Sequence, residues 1–176
     1  MTADLTTHRV TPAARATRSA LASLATLDAA GCASRSCSLV LPGSGRLSDL
    51  LSGCPKNLVF SNAEQRLCHR RTDLTGWGGR LAAKSAIGEL LGIDVAAALA
   101  SHQDIGLSEL EILPEPHGLC GRSASCFKPH PPQALLGPRW AAIAPAGTHL
   151  QISISHTNRL AIALAVLSGR SLLEGR

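Results

Sequence analysis

The sequence predicts an α+β domain, and three observations predict it. The run Arg80 to Gly92, RLAAKSAIGELLG, spaces Leu81, Ala82, Ser85, Leu90 and Leu91 at helical intervals and closes on a glycine. Residues 150–155 alternate apolar and polar, and a second apolar run over 160–167 follows the polar turn His156-Thr157-Asn158-Arg159, the pattern of an antiparallel hairpin. Short apolar segments punctuated by Pro and Gly fill the remainder, with no internal repeat. Together these imply a short antiparallel sheet packed on one long central helix.

Taken in order, residues 1–36 are low in complexity and rich in Ala, Thr and Arg, with a helical stretch over 13–30 between Pro12 and Gly31. They read as a flexible or loosely helical extension, and 37–176 as the domain. SLVL (38–41) reads as a strand, Pro42-Gly43-Ser44-Gly45 as a turn and RLSDLL (46–51) as a helical turn. A brief apolar segment, 57–60, precedes Ser61-Asn62-Ala63-Glu64, a capping box that starts a helix to about Arg71. Residues 72–79 read as a glycine-rich hinge before the long helix. Residues 107–113 alternate as a strand that Pro114 and Pro116 end, 115–131 form a loop, and 132–146 are helix or loop.

Composition bounds the function. The chain has 176 residues, 45% apolar and 16% charged, enough for one buried core and unlike a disordered chain. The net charge of +5 favours acidic partners, but no dense cationic run and no Tyr, with two Phe and two Trp, argue against a nucleic-acid binder. No stretch reaches the roughly 18–20 apolar residues of a membrane helix, and the start lacks the apolar core of a secretory signal. A cytoplasmic protein without membrane partners is the expectation, its six cysteines reduced because their spacing is irregular.

Several residue types carry chemistry. His156 follows a strand, where it is either a turn hydrogen-bonder or an acid–base group. Cys68 and His69 are adjacent, hence about 100° apart on a helix, and cannot form a dyad with each other. His117, Cys120, Cys126 and His130 are zinc-capable, but the spacing fits no standard finger, so zinc is not expected. Gly76 to Gly79, GWGG, opens a helix without matching a phosphate-loop fingerprint. Arg66, Arg70 and Arg71 make a basic edge suited to an acidic helix.

Three segments in order, LVFSNAEQRLC (58–68), GRLAAKSAIGELLG (79–92) and QISISHT (151–157), resemble the holo-acyl-carrier-protein synthase branch of the phosphopantetheinyl transferases. Their counterparts are F-T-x-x-E-x-x-Y-C, G-R-F-A-A-K-E-A-x-x-K-A-x-G and S-x-S-H-T; LSELEIL (107–113) is similar to the D-I-E-V strand, and the 115–131 loop looks inserted. The resemblance implies the phosphopantetheinyl-transferase fold, a homotrimer, coenzyme A as ligand and an acyl carrier protein as partner. It places Arg80 and Lys84 near the coenzyme A phosphates, Ser153, Ser155, His156 and Thr157 in the hairpin motif, and Glu64 as the acid of the preceding helix.

The resemblance breaks at three chemical positions. Family members hold magnesium with an Asp on the opening strand and the Glu of K-E-A, and carry a Lys five residues after the first Lys. Counting back from Arg46 puts the Asp at Val40, with Asp49 the nearest downstream acid; Ser85 replaces the Glu, and Glu89 reverses the Lys. A hard cation wants oxygen anions, so magnesium is not expected. The resulting expectation is a repurposed relative that recognises the phosphopantetheine arm and acts on its acyl group in polyketide- or fatty-acid-type biosynthesis. His156, Ser155 and Glu64 are the candidate catalytic residues, with Cys68 behind them, and Arg80, Lys84, Ser153 and Thr157 bind the cofactor. The alternatives are an active synthase with metal ligands rearranged to Glu64 and Glu89, and a noncatalytic carrier-binding subunit.

Overall fold

The computed structural model describes residues 32–69, 74–115 and 130–169. Strand β1 (Cys32–Val40) leads through three short helices, α1 (Leu47–Leu50), α2 (Lys56–Val59) and α3 (Asn62–Cys68), to the long helix α4 (Thr75–Leu90). Helix α5 (Val95–Ala100), a 3-10 turn (Leu107–Glu109), strands β2 (Leu110–Pro114) and β3 (Pro132–Leu136), helix α6 (Pro138–Ile143) and the hairpin of β4 (Thr148–His156) and β5 (Leu160–Gly169) follow. The order β1-β5-β4 makes an antiparallel sheet, and β2 pairs with β3 in a separate ribbon.

The sheet and α4 meet through small residues. Strand alternation turns Ala161, Ala163 and Ala165 of β5 to the covered face, flanked by Leu150, Ile152 and Ile154 of β4 and by Cys37 and Leu39 of β1. The helix answers with Gly78, Gly79, Ala82, Ala83 and Ala86, all buried. A Cβ on Gly79 would lie 2.9 Å from Ile154 Cγ2, so the close approach of helix to sheet demands glycine there. Segment 72–79 is therefore no hinge from Thr75 onward but the first turn of α4. Packing outweighs the roughly 1 kcal/mol that each glycine costs a helix.

The ends of the elements follow local chemistry. Ser61 Oγ accepts the Glu64 N–H (3.2 Å) and Glu64 Oε2 accepts the Ser61 N–H (2.9 Å), closing the capping box read from the sequence. α4 ends in a Schellman motif: Gly92 has φ +77°, its N–H bonds Glu89 O and the Ile93 N–H bonds Gly88 O at 2.7 Å. Elsewhere the boundaries move. β1 begins at Cys32, taking into the sheet residues whose composition matches the extension, and 132–146 divides into β3 and α6. α6 is anchored by Trp140, fully buried, whose Nε1–H donates to Gly106 O at 2.8 Å. Residues 1–31, Arg70, Arg71, His117, Cys120 and Cys126 lie outside the described residues, so the helix over 13–30 and three of the four zinc-capable residues do too.

Candidate functional site

A cleft of about 280 Å³ opens where α3, the first turns of α4 and the ends of β2 and β4 converge; Cys68, Thr75, Gly76, Arg80, Pro114 and His156 are among its lining residues. His156 reaches it because it continues the alternation Leu150, Ile152, Ile154 on the α4 side of the sheet. The same alternation carries Ser153 and Ser155 to the opposite, exposed face. The hairpin motif is thus split: its histidine enters the cleft and its two serines point away. Thr157 builds the turn, its Oγ1 accepting the N–H groups of Arg159 (3.2 Å) and Leu160 (3.1 Å).

Arg80 enters the cleft from the second turn of α4. Its Nε–H donates to Ile112 O and its Nη1 to Gly76 O, both at 3.0 Å, which leaves Nη2 without a hydrogen bond among the described residues. A guanidinium anchored on one edge and open on the other is equipped to bind an anion. Cys68 contributes to the wall from a position 1% exposed.

Lys84 and Glu64 take a different place from the one the sequence suggests. Both side chains are 0% exposed and form an ion pair at 2.8 Å. The Lys84 ammonium spends its three N–H donors on Glu64 Oε2, Val59 O (2.6 Å) and Leu107 O (2.7 Å). Glu64 Oε2 also takes the Ser61 N–H, and Oε1 takes the Ile112 N–H at 3.0 Å. Desolvation pushes the Glu64 carboxyl up and the Lys84 ammonium down, each partly drawn back by the other. In this arrangement Lys84 has no donor left for a phosphate, and Glu64 no open side for a reacting group or a metal. The pair ties α2, α3, α4, the 3-10 turn and β2 together beneath the cleft.

The resemblance implies magnesium, and among the described residues no group of three or more His, Cys, Asp or Glu is placed to hold a metal ion. Val40 is 76% exposed on the sheet face away from α4, so it is not the position that meets Ser85. Cys37 of β1 is: its thiol hydrogen-bonds the Ser85 hydroxyl, and burial, with help from the nearby Glu89 carboxylate, pushes the thiol up and keeps it protonated. A neutral thiol and a hydroxyl supply no anionic oxygen, which leaves Glu89 as a single nearby carboxylate where magnesium takes several hard oxygen donors. Strand alternation turns Cys37 and Leu39 toward α4 and Val40 away from it, which sets the residue of β1 that faces Ser85. The alternation Cys37, Leu39 toward the core was the signal available.

The fold is similar to that of solved holo-acyl-carrier-protein synthases. The chain is similar to a Chronobacterium ammoniagenes ACPS–CoA complex at 23% identity, with a TM-score of 0.56 over 78% of this chain and 97% of that one. It is also similar to the Neisseria meningitidis holo-[acyl-carrier-protein] synthase (15% identity, TM-score 0.54, 77% and 96% covered). The Helicobacter pylori enzyme in complex with coenzyme A matches at 17% identity, with a TM-score of 0.52 over 77% of this chain and 100% of that one. No protein-family model matches the chain, and no curated protein does.

Proposed function

We propose that this chain recognises the phosphopantetheine arm of coenzyme A or of an acyl carrier protein and acts on the acyl group attached to it, in polyketide- or fatty-acid-type biosynthesis. One observation carries the reading: Arg80 and His156, from separate elements, line a single cleft on a fold whose solved relatives include complexes with coenzyme A. In this reading the open edge of Arg80 meets phosphate, and the His156 imidazole serves as general acid or base at the acyl group. In this reading magnesium-dependent arm transfer is lost, because Ser85 and Glu89 stand where the family motif carries an acid and a lysine, and Cys37 beside Ser85 offers no anionic oxygen. The neighbouring sheet face supports a homotrimer.

The test uses the full chain. Incubated with apo carrier, coenzyme A and magnesium, the carrier keeps its mass; incubated with acyl-loaded carrier, the acyl product changes in mass or retention, and His156→Ala abolishes the change. Transfer of the arm would restore the synthase reading. Binding without turnover would make the chain a carrier-binding subunit.

A further inference from the structure

We infer that Glu64 is a positioning residue for Arg80, acting through the backbone of Ile112, whose N–H bonds Glu64 Oε1 and whose carbonyl accepts the Arg80 Nε–H. This deepens the reading of the cleft given above and rests on it for the ligand. The chain of contacts is short and buried. Lys84 fixes Glu64 at 2.8 Å, Glu64 Oε1 accepts from Ile112 N at 3.0 Å, and Ile112 O accepts from Arg80 Nε at 3.0 Å. Ile112 is 1% exposed, so its backbone N–H and carbonyl are both shielded from competing water. Gly76 O accepts from Nη1, so the guanidinium plane is held by two carbonyls, and the Nη2 edge, without a hydrogen bond among the described residues, is fixed in direction.

Both ends of the link matter to the cleft. Ile112 sits two residues before Pro114, which lines the cleft, so the carboxylate that holds the peptide also holds the end of β2 in the wall. Arg80 and Glu64 do not touch; the strand between them is the connector. A residue that merely stabilised the fold would have no reason to share its effect with Arg80 in particular.

The test compares two variants that both lose the buried charge pair and differ in the acceptor offered to Ile112. Glu64→Gln with Lys84→Met keeps an oxygen for the Ile112 N–H; Glu64→Leu with Lys84→Met removes it. By isothermal titration with coenzyme A, the Gln variant binds within about threefold of the parent and the Leu variant at least about tenfold more weakly, the worth of one hydrogen bond to a charged group. Adding Arg80→Gln to the Leu variant weakens binding by less than adding it to the Gln variant, because part of the Arg80 contact is already lost. Equal affinities for the two, or an Arg80→Gln effect that adds in full, would overturn the inference. If the parent does not bind coenzyme A, the reading of the cleft fails while the link is still decided by NMR: the Arg80 Nε–H exchanges slowly with water in the parent and the Gln variant and fast in the Leu variant. A parent Arg80 Nε–H that exchanges as fast as a free guanidinium overturns the link without any variant having to fold.

Discussion

Removing Lys84 alone would leave Glu64 a buried carboxylate without its cation and leave Val59 O and Leu107 O without donors. Lys84→Met is therefore expected to cost about 3–5 kcal/mol, read from the shift in urea midpoint. Adding Glu64→Gln regains part of that loss but not all, since the two carbonyls stay unsatisfied. The pair also shapes the pH profile. Glu64 titrates above its ordinary 4.5 in the fold, so just above that pH the native chain holds a proton the unfolded chain has released, and stability falls as pH rises there. Lys84 titrates below 10.5, so just under that pH the unfolded chain holds the extra proton and stability rises with pH. The double variant flattens both limbs of the urea midpoint against pH; a profile unchanged by the substitutions would show that neither group is shifted. In one dimension Glu64 is fully accounted for by its capping box and Lys84 by its place in a helix motif, and nothing in a local pattern says that residues twenty apart will meet. His156 is the opposite case: the alternation from Leu150 onward already separates it from Ser153 and Ser155, and matching a motif as one block obscured that.

At the scale of the element, α4 shows which features a sequence declares and which it conceals. Its C-terminus is legible because Gly92 is required by its own positive φ, a local property. Its N-terminus is not, because Gly76, Gly78 and Gly79 are poor helix formers made helical by the sheet beneath them. β3 is hidden for a related reason: PQALL carries too few residues to alternate convincingly, and it becomes a strand by pairing with β2, Leu136 opposite Leu110. The same packing yields a prediction at Gly88. On propensity alone Gly88→Ala would gain about 1 kcal/mol. A Cβ there would sit 2.6 Å from Val95 Cγ2 and 2.9 Å from the backbone oxygen of Ile93, inside the Schellman turn that ends the helix. The backbone cannot yield without breaking that turn, so the variant is expected to lose about 1–3 kcal/mol in thermal or urea unfolding. A stabilised Gly88→Ala protein would mean that the junction of α4 with α5 is looser than its contacts.

For the molecule as a whole, the sheet has two faces and α4 covers one. On the other, Leu160, Ile162, Leu164 and Val166 form an apolar central strand, bordered by Ser34, Ser36 and Ser38 of β1 and by Gln151, Ser153 and Ser155 of β4. Val40 is 76% and Ile162 36% exposed at one end of this face, while the Ser36 hydroxyl is buried without a hydrogen-bond partner among the described residues. Apolar surface left in water and an unpaired hydroxyl are both costs that an isologous or cyclic contact between copies would remove. A homotrimer is the assembly proposed above, and a cyclic contact through this face would build it. Light scattering on the full chain is therefore expected to give three times the 18.2 kDa chain mass. Ile162→Asp places a carboxylate on the exposed end of the face without touching the core side of β5, where Ala161 and Ala163 pack. It should convert the trimer to monomer while leaving the circular dichroism spectrum unchanged, and it should weaken coenzyme A binding only if a neighbouring subunit completes the cleft. A parent chain that scatters as a monomer at micromolar concentration would assign the serine-bordered face to some other partner, and the affinity of Ile162→Asp for coenzyme A would then equal that of the parent.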